Sequence, residues 1–201
     1  MISGSGKTVP EDTGTYPKSA LVTTDTEIES QSMVDYLCSC GHKRIAFITS
    51  GDEGLGRCHL NGYKRSLEKN GLEYDEKLII RLKPGKRIYT IENGYNCTCE
   101  LLKSGVDFSC IYAISDTLAV GACRAVIDSG KRVPEDYCVA GADGQDIAEY
   151  YHPSITTLKY TRVEIALQSV RTLFDLINRK KVVKRQILGG TLIERESTRK
   201  L

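Results

Sequence analysis

The sequence predicts an α/β protein built on a doubly wound, mostly parallel sheet. Three observations carry this. Short apolar runs alternate with segments of helical periodicity along most of the chain. The first two helical segments end at Gly41 and Gly71, where a left-handed cap stops a helix. The apolar runs are too short and too continuous for alternating two-sided strands, and they read as strands buried on both faces.

The elements follow in order. Residues 1–20 are rich in Gly, Ser, Thr and Pro and predict a flexible lead-in, with order beginning near "ALVTTD". Ile28, Met33, Val34 and Leu37 predict a helix over Glu27 to Ser39, and "RIAFIT" predicts the strand after it. Leu60, Tyr63, Lys64 and Leu67 place a second helix before Gly71. "KLIIRL" predicts a strand, and "YTIENGYNCTCELLKSG" a helix with Tyr95, Cys99 and Leu102 on one face. "FSCIYAI" is a strand, Asp116 to Ser129 a helix packed through Ala119, Ala122, Ala125 and Val126, and "YCVAGA" the next strand. After Pro153, "SITTLKY" is a brief strand. Val163 to Asn178 is the clearest helix, with Val163, Ala166, Leu167, Val170, Leu173, Phe174 and Ile177 on one stripe and Ile165 and Leu176 off it. "KRQILGGTLIERES" predicts two extended runs joined by a tight hairpin at Gly189-Gly190.

Composition excludes several functions. The 201 residues are 40% hydrophobic and 27% charged, enough for a sizeable core. A net charge of +2 gives no clustered basic face of the kind that phosphate neutralisation requires. No apolar run approaches the ~20 residues that cross a bilayer, and "MISGSGKTVPEDTG" has no signal-peptide core, so the expectation is a cytoplasmic protein without a membrane partner. The eight cysteines sit inside strand-like and helix-like segments and read as reduced, apolar fillers. Zinc at Cys38, Cys40 and His42 is the rival reading, but C-x-C-x-H is not a usual ligand spacing and no second ligand pair follows closely; the expectation is no metal and no cofactor. No G-x-S-x-G, H-E-x-x-H, complete phosphate loop or strand-linked G-x-G-x-x-G is present, and "GSGK" at Gly4 to Lys7 reads as linker. An enzyme using Asp116 and Asp143 as acid and base ranks last, since nothing else in the chain supplies a nucleophile or holds a leaving group.

In an open parallel sheet, ligands sit beyond the carboxyl ends of the strands. Arg57 and His59 follow the first long strand by one loop; Tyr89 follows "KLIIRL"; Ser115 and Asp116 follow "CIYAI"; Asp143 follows "YCVAGA". Carboxylates, a guanidinium, a hydroxyl and a ring suit a polyhydroxylated ligand. Bland roles stand beside this one. Asp116 could be a helix N-cap, Asp143 could shape a turn before Gly144, His59 could be a packing residue and Tyr89 could open a helix. The residues alone leave both sets of roles open.

The wording of Ala20 to Thr198 resembles the effector-binding region of the LacI/GalR family of bacterial transcription regulators. The resemblance is carried by "VTTD", "YLCSCGHKRIAFIT", "NGYKRSLEKNG", "ISDTLAVGACRAVIDSGKRVPEDYCVAGAD", "HPSITTLKY" and "LIERES" in succession. It implies a periplasmic-binding-protein-like type I architecture of two α/β lobes joined by three crossings, here truncated. Residues 21–40 would be part of the N-terminal lobe, 41–150 the C-terminal lobe, 151–178 the return to the N-terminal lobe, and 179–201 a crossing back with the terminal hairpin. It also implies that Tyr89 stacks on the ligand, that Ser115 and Asp116 form a polar pair in the cleft, and that Asp143 binds ligand hydroxyls. His59 stands where the family commonly has an arginine, with Arg57 two residues before it. The implied function is regulatory rather than enzymatic: sensing a small polar effector, a sugar or related molecule, as a homodimer that meets DNA only through a headpiece this chain lacks. The alternative is a solute-binding protein of a sugar transport system, against which the missing export signal and the eight thiols argue.

Overall fold

The computed structural model describes residues 19–83, 85 and 87–201, so the expected lead-in lies almost wholly outside the described residues, with the "GSGK" stretch in it. The order is β1 (Leu21–Thr23), α1 (Thr26–Ser39), β2 (Ile45–Thr49), α2 (Gly54–Lys69), a 3₁₀ turn (Glu76–Leu78), β3 (Ile79–Arg81), α3 (Ile91–Lys103), β4 (Cys110–Ala113), α4 (Asp116–Asp128), β5 (Cys138–Ala140), α5 (Asp146–Tyr150), β6 (Thr157–Lys159), α6 (Arg162–Ile177), β7 (Arg185–Ile187) and β8 (Thr191–Ile193).

The main sheet is parallel with order β3-β2-β4-β5. Every residue of β2, β4 and β5 is buried, which is why their sequences read as unbroken apolar runs. α1 packs on α2, and α3 on α4. The chain steps from β2 out to β3 and then returns past β2 to β4, so the winding reverses between β2 and β4 and the helix pairs take opposite faces. In the core Phe47 stacks between Tyr63 and Tyr112, with centroids 4.9 Å and 5.1 Å away.

The α3–α4 contact uses a face beside the apolar one. Gly94, Thr98 and Leu101 are the buried face of α3, one residue out of step with Tyr95, Cys99 and Leu102. The reason is close backbone approach: a Cβ on Gly94 would stand 2.1 Å from the Leu118 carbonyl, and one on Gly121 would stand 2.1 Å from that of Ile91. Small residues make this contact, so an apolar count overlooks it.

Two small sheets complete the fold. β1 pairs with β7 in parallel, and β6 pairs with β8 antiparallel. The expected terminal hairpin is therefore corrected: β7 and β8 flank Gly189-Gly190 but pair with different strands. Along the chain, 188–190 carries the backbone from the small β1-β7 sheet back to the main body, so the two glycines form a crossing and not a turn between paired neighbours.

The expected lobe boundaries also shift. α1 contributes Met33, Val34 and Leu37 to the main core, so residues 21–40 divide, with β1 in the small sheet and α1 in the main body. β6 is tied to the end of β5, where Gly141 and Asp143 donate backbone hydrogen bonds to Thr156 and Leu158, so of residues 151–178 it is α6 that lies against β1. Residues 197–201 return to the main body, with Val139 N–H donating to the Ser197 carbonyl and Leu201 N–H to that of Cys40.

α6 leaves apolar surface uncovered. Its apolar stripe faces outward: Val163, Leu167, Val170, Leu173, Phe174 and Ile177 are all exposed. Ile165, Ser169, Thr172 and Leu176, at helical spacing on the other side, are the covered residues, and Gln186 of β7 donates to the Thr172 hydroxyl at 3.0 Å. The periodicity locates an amphipathic helix correctly, while the partner surface present here, β1 and β7, meets its more polar side.

Candidate functional site

The carboxyl ends of β4 and β5 place two acidic groups together. Ser115 is the N-cap of α4: its Oγ accepts the Leu118 N–H at 3.3 Å, and its backbone is extended. Asp116, next in line, is therefore free of the capping role the sequence left open to it. It is fully buried, and its two oxygens accept from the Gln145 backbone N–H at 2.6 Å and from the Thr157 hydroxyl at 2.5 Å. Burial pushes its carboxyl up to about 6, against the pull of those two hydrogen bonds and with a further push from Asp143.

Asp143 is joined to Asp116 through one residue. Gln145 donates its backbone N–H to Asp116 and its side-chain amide to Asp143 Oδ2 at 3.0 Å. The Asp143 backbone has φ 106°, a conformation costly for any residue but glycine, and its N–H is fixed to the Leu158 carbonyl at 2.9 Å. Its carboxyl is raised by burial, opposed by Gln145 and by Arg162. Arg162, the first residue of α6, brings Nη2 to 3.8 Å from Asp143 Oδ1 and 3.4 Å from its carbonyl oxygen. The side chain of Asp143 keeps 24% of its surface open, so a ligand can still reach it.

The other expected residues divide by exposure. His59 is 5% exposed, on the side of α2 that meets α1; its backbone carbonyl accepts the Ser30 hydroxyl at 2.8 Å and its Nδ1 has no partner among the described residues. Burial pushes the imidazole down to about 4, so it is neutral at physiological pH and does not supply a cation. Arg57, two residues earlier, is exposed and lies about 200° around the helix from His59, so the two do not act on one point. Tyr89 is 44% exposed, directly before Thr90, the N-cap of α3. No hydrogen bond ties Arg57 or Tyr89 to the Asp116–Asp143 pair among the described residues.

Sequence reasoning missed Gln145, Thr157, Arg162 and Glu29. Gln145 and Thr157 carry no motif, since their roles exist only once β6 lies beside β5. Glu29 is 4% exposed at the start of α1, beneath the point where the chain crosses between its two parts. At that point Leu188 N–H donates to the Thr23 carbonyl at 2.8 Å and the Thr161 hydroxyl to the Gly189 carbonyl at 3.3 Å, so the described residues bring three crossings, at 24–25, 160–161 and 188–190, side by side.

The paired carboxylates are not an acid–base couple, because both Asp116 oxygens are occupied and sealed from solvent. His42 is buried with Nδ1 on Ser109 Oγ at 2.9 Å, all eight cysteines are free, and no group of three potential ligands gathers among the described residues. No helix of the described residues is long and apolar enough to cross a membrane.

A wound parallel sheet, joined to a smaller one by three adjacent crossings and carrying polar groups at its strand ends, has the layout of a periplasmic-binding-protein-like module. The chain belongs to the family of periplasmic binding protein-like domains, whose family model matches residues 34–198. Among curated proteins it is similar to the HTH-type transcriptional regulator MalR of Clostridium butyricum, with 40% identity over 146 residues, covering 73% of this chain and 42% of the regulator. Among solved structures it is similar to a sugar-binding transcriptional regulator of the LacI family from Escherichia coli complexed with phosphate, with TM-score 0.82 and 30% identity over 90% of this chain and 64% of that one. A LacI family transcriptional regulator from Enterococcus faecium with bound ribose gives TM-score 0.78 at 28% identity, covering 92% of this chain and 67% of that chain. The chain thus spans less than half the length of its curated relative MalR, and the part it matches is the effector-binding region of LacI-family regulators.

Proposed function

We propose that this chain senses a small polar ligand, a sugar in the first instance, for a LacI-type transcription regulator, and that binding biases the DNA affinity of the longer protein. The observation that carries the reading is Asp143: a strained, half-buried carboxylate at the strand ends, braced by Gln145 and facing Arg162 from the smaller part of the fold. Strain of this kind persists where the surroundings over-determine it, as they do at ligand clamps. The ribose bound by the Enterococcus faecium relative supports the choice of ligand class.

Within this reading Asp143 accepts ligand hydroxyls and Tyr89 offers a ring to an apolar sugar face, both being open to solvent. Ser115, Asp116 and His59 are buried and act behind them, holding the start of α4 and the α1–α2 contact in place. Arg57 stands outside this group on the exposed side of α2. Ligand at Asp143 competes with Arg162 for the same carboxylate, so binding changes the contact between the two parts of the fold and shifts their equilibrium. The functional unit is a homodimer, DNA is reached through a separate headpiece, and the location is the cytoplasm.

Isothermal titration against ribose, glucose, maltose and cellobiose is the test. Saturable heat with at least one sugar, reduced tenfold or more by Asp143→Asn, is expected; a flat titration with every sugar would count decisively against the reading.

A further inference from the structure

The three crossings close over a carboxylate that has no satisfactory partner. Neither oxygen of Glu29 makes a hydrogen bond of acceptable geometry among the described residues, although the Thr24 side chain and the Gly190 backbone lie within reach as donors. A Cβ placed on Gly190 would stand 3.0 Å from Glu29 Oε1 and 3.3 Å from the Lys159 carbonyl oxygen. Thr24 and Gly190, from two of the crossings, reach the buried carboxyl group, and Tyr160, from the third, is close enough to feel its charge.

The neighbouring titratable groups do not neutralise it. Asp25, just before α1, adds a like charge. Tyr112 of β4 and Tyr160 just beyond β6 are themselves held in the neutral form by burial, with Glu29, Asp116 and Asp143 adding to the effect. The Tyr112 hydroxyl, fully buried beside Ser30, is also without a bond of ordinary geometry. His59 from α2 is neutral, and Arg162 is engaged with Asp143. The Lys159 side chain is exposed, and its carbonyl oxygen lies beside Gly190. An unpaired ion in such a place is costly, and the group escapes by taking a proton or by regaining water.

We infer that Glu29 is a proton-linked latch on the crossings: neutral, it stays packed beneath 24–25, 160–161 and 188–190 and holds them together; ionised, it favours an arrangement in which they part and water reaches it. Burial pushes the carboxyl from its ordinary 4.5 to about 7. The closed arrangement therefore binds a proton more tightly than the open one, and the ratio of closed to open falls as pH rises from about 4.5 through 7, by up to about two orders of magnitude. Under the proposed sensing role the proton becomes a second input on the equilibrium the ligand uses. The latch itself stands without that role.

Two measurements on the 201-residue chain test it. The Glu29 carboxyl resonance in carbon NMR, assigned by its loss in Glu29→Gln, is expected to titrate with a midpoint near 7. Amide hydrogen exchange across 158–162 and 186–191 is then compared between wild type and Glu29→Gln at matched pH, which cancels both intrinsic exchange rates and the titration of Asp116 and Asp143. The ratio of wild-type to variant exchange is expected to rise on the order of tenfold or more from pH 5 to pH 8. A midpoint below 5, or a ratio that stays flat, overturns the latch, and neither outcome depends on whether any sugar binds.

Discussion

Asp116 and Asp143 are two carboxylates joined through Gln145 that do different work because their surroundings differ. Asp116 is sealed and doubly bonded, so it ties α4 to β6 and to the loop after β5. Replacing it with Asn keeps the shape but turns an amide donor toward one of two donors, which is expected to cost about 1–3 kcal/mol of stability in urea unfolding. The pH dependence has a definite sign. The folded state holds the Asp116 proton to about 6 against an ordinary 3.8, so its contribution is greatest below 3.8 and is lost as pH rises through 6. Asp116→Asn is expected to flatten that part of the stability profile, and an unchanged slope between pH 4 and 6 would refute the assignment. Asp143 has the opposite character. Its φ of 106° suits glycine, so Asp143→Gly relieves backbone strain of about 1 kcal/mol or more while removing the carboxylate. A melting temperature equal to or above wild type, with sugar affinity at least tenfold lower, is the expected pair of results. Loss of stability with affinity intact would reverse the roles.

The elements show which signals a sequence carries. β2, β4 and β5 are legible because they are buried on both faces, and α4 because Ala119, Ala122, Ala125 and Val126 sit on its packed side. α3 is legible as a helix but not in its packed face, since the contact depends on what Gly94 lacks. α6 shows the complementary limit: a stripe marks amphipathicity, but which side is covered depends on strands elsewhere in the chain. The Gly189-Gly190 pair is read locally as a hairpin, and its use as a crossing depends on β1 and β6, more than 25 residues away in sequence for each pairing. Of the candidate site, the positions at strand ends follow from the winding, whereas the exposure of Asp143 against the burial of Asp116 and His59 depends on β6 and α1. The glycine contact is directly testable. Gly121→Ala places a methyl 2.1 Å from the Ile91 carbonyl and 2.7 Å from the Tyr95 nitrogen, backbone atoms that cannot yield separately. It is expected to destabilise the fold by about 3 kcal/mol, the upper end of ordinary overpacking, despite alanine's better helix propensity. Stabilisation by the propensity difference would show that α3 and α4 are not this close.

At the scale of the whole molecule, the main body is closed and the smaller part is not. β1 and β7 cover one side of α6 through Ile165, Ser169, Thr172 and Leu176, and leave Leu167, Val170, Leu173, Phe174 and Ile177 between 45% and 65% exposed. A contiguous apolar stripe of four helical turns is unusual on the surface of a soluble monomer, where large patches mark interfaces. Water is displaced from it most simply when two copies meet through the same helix, a contact that closes on itself and does not propagate. The 201-residue chain is therefore expected to self-associate in a concentration-dependent way in sedimentation velocity. Because these side chains already face solvent, Leu167→Glu combined with Phe174→Glu should leave the unfolding free energy within about 0.5 kcal/mol per site of wild type while shifting the chain to monomer. The two readouts separate the possibilities. A wild-type chain that stays monomeric at all concentrations would rule out the stripe as a contact, and a double variant that loses several kcal/mol would mean that these residues are covered within the chain itself.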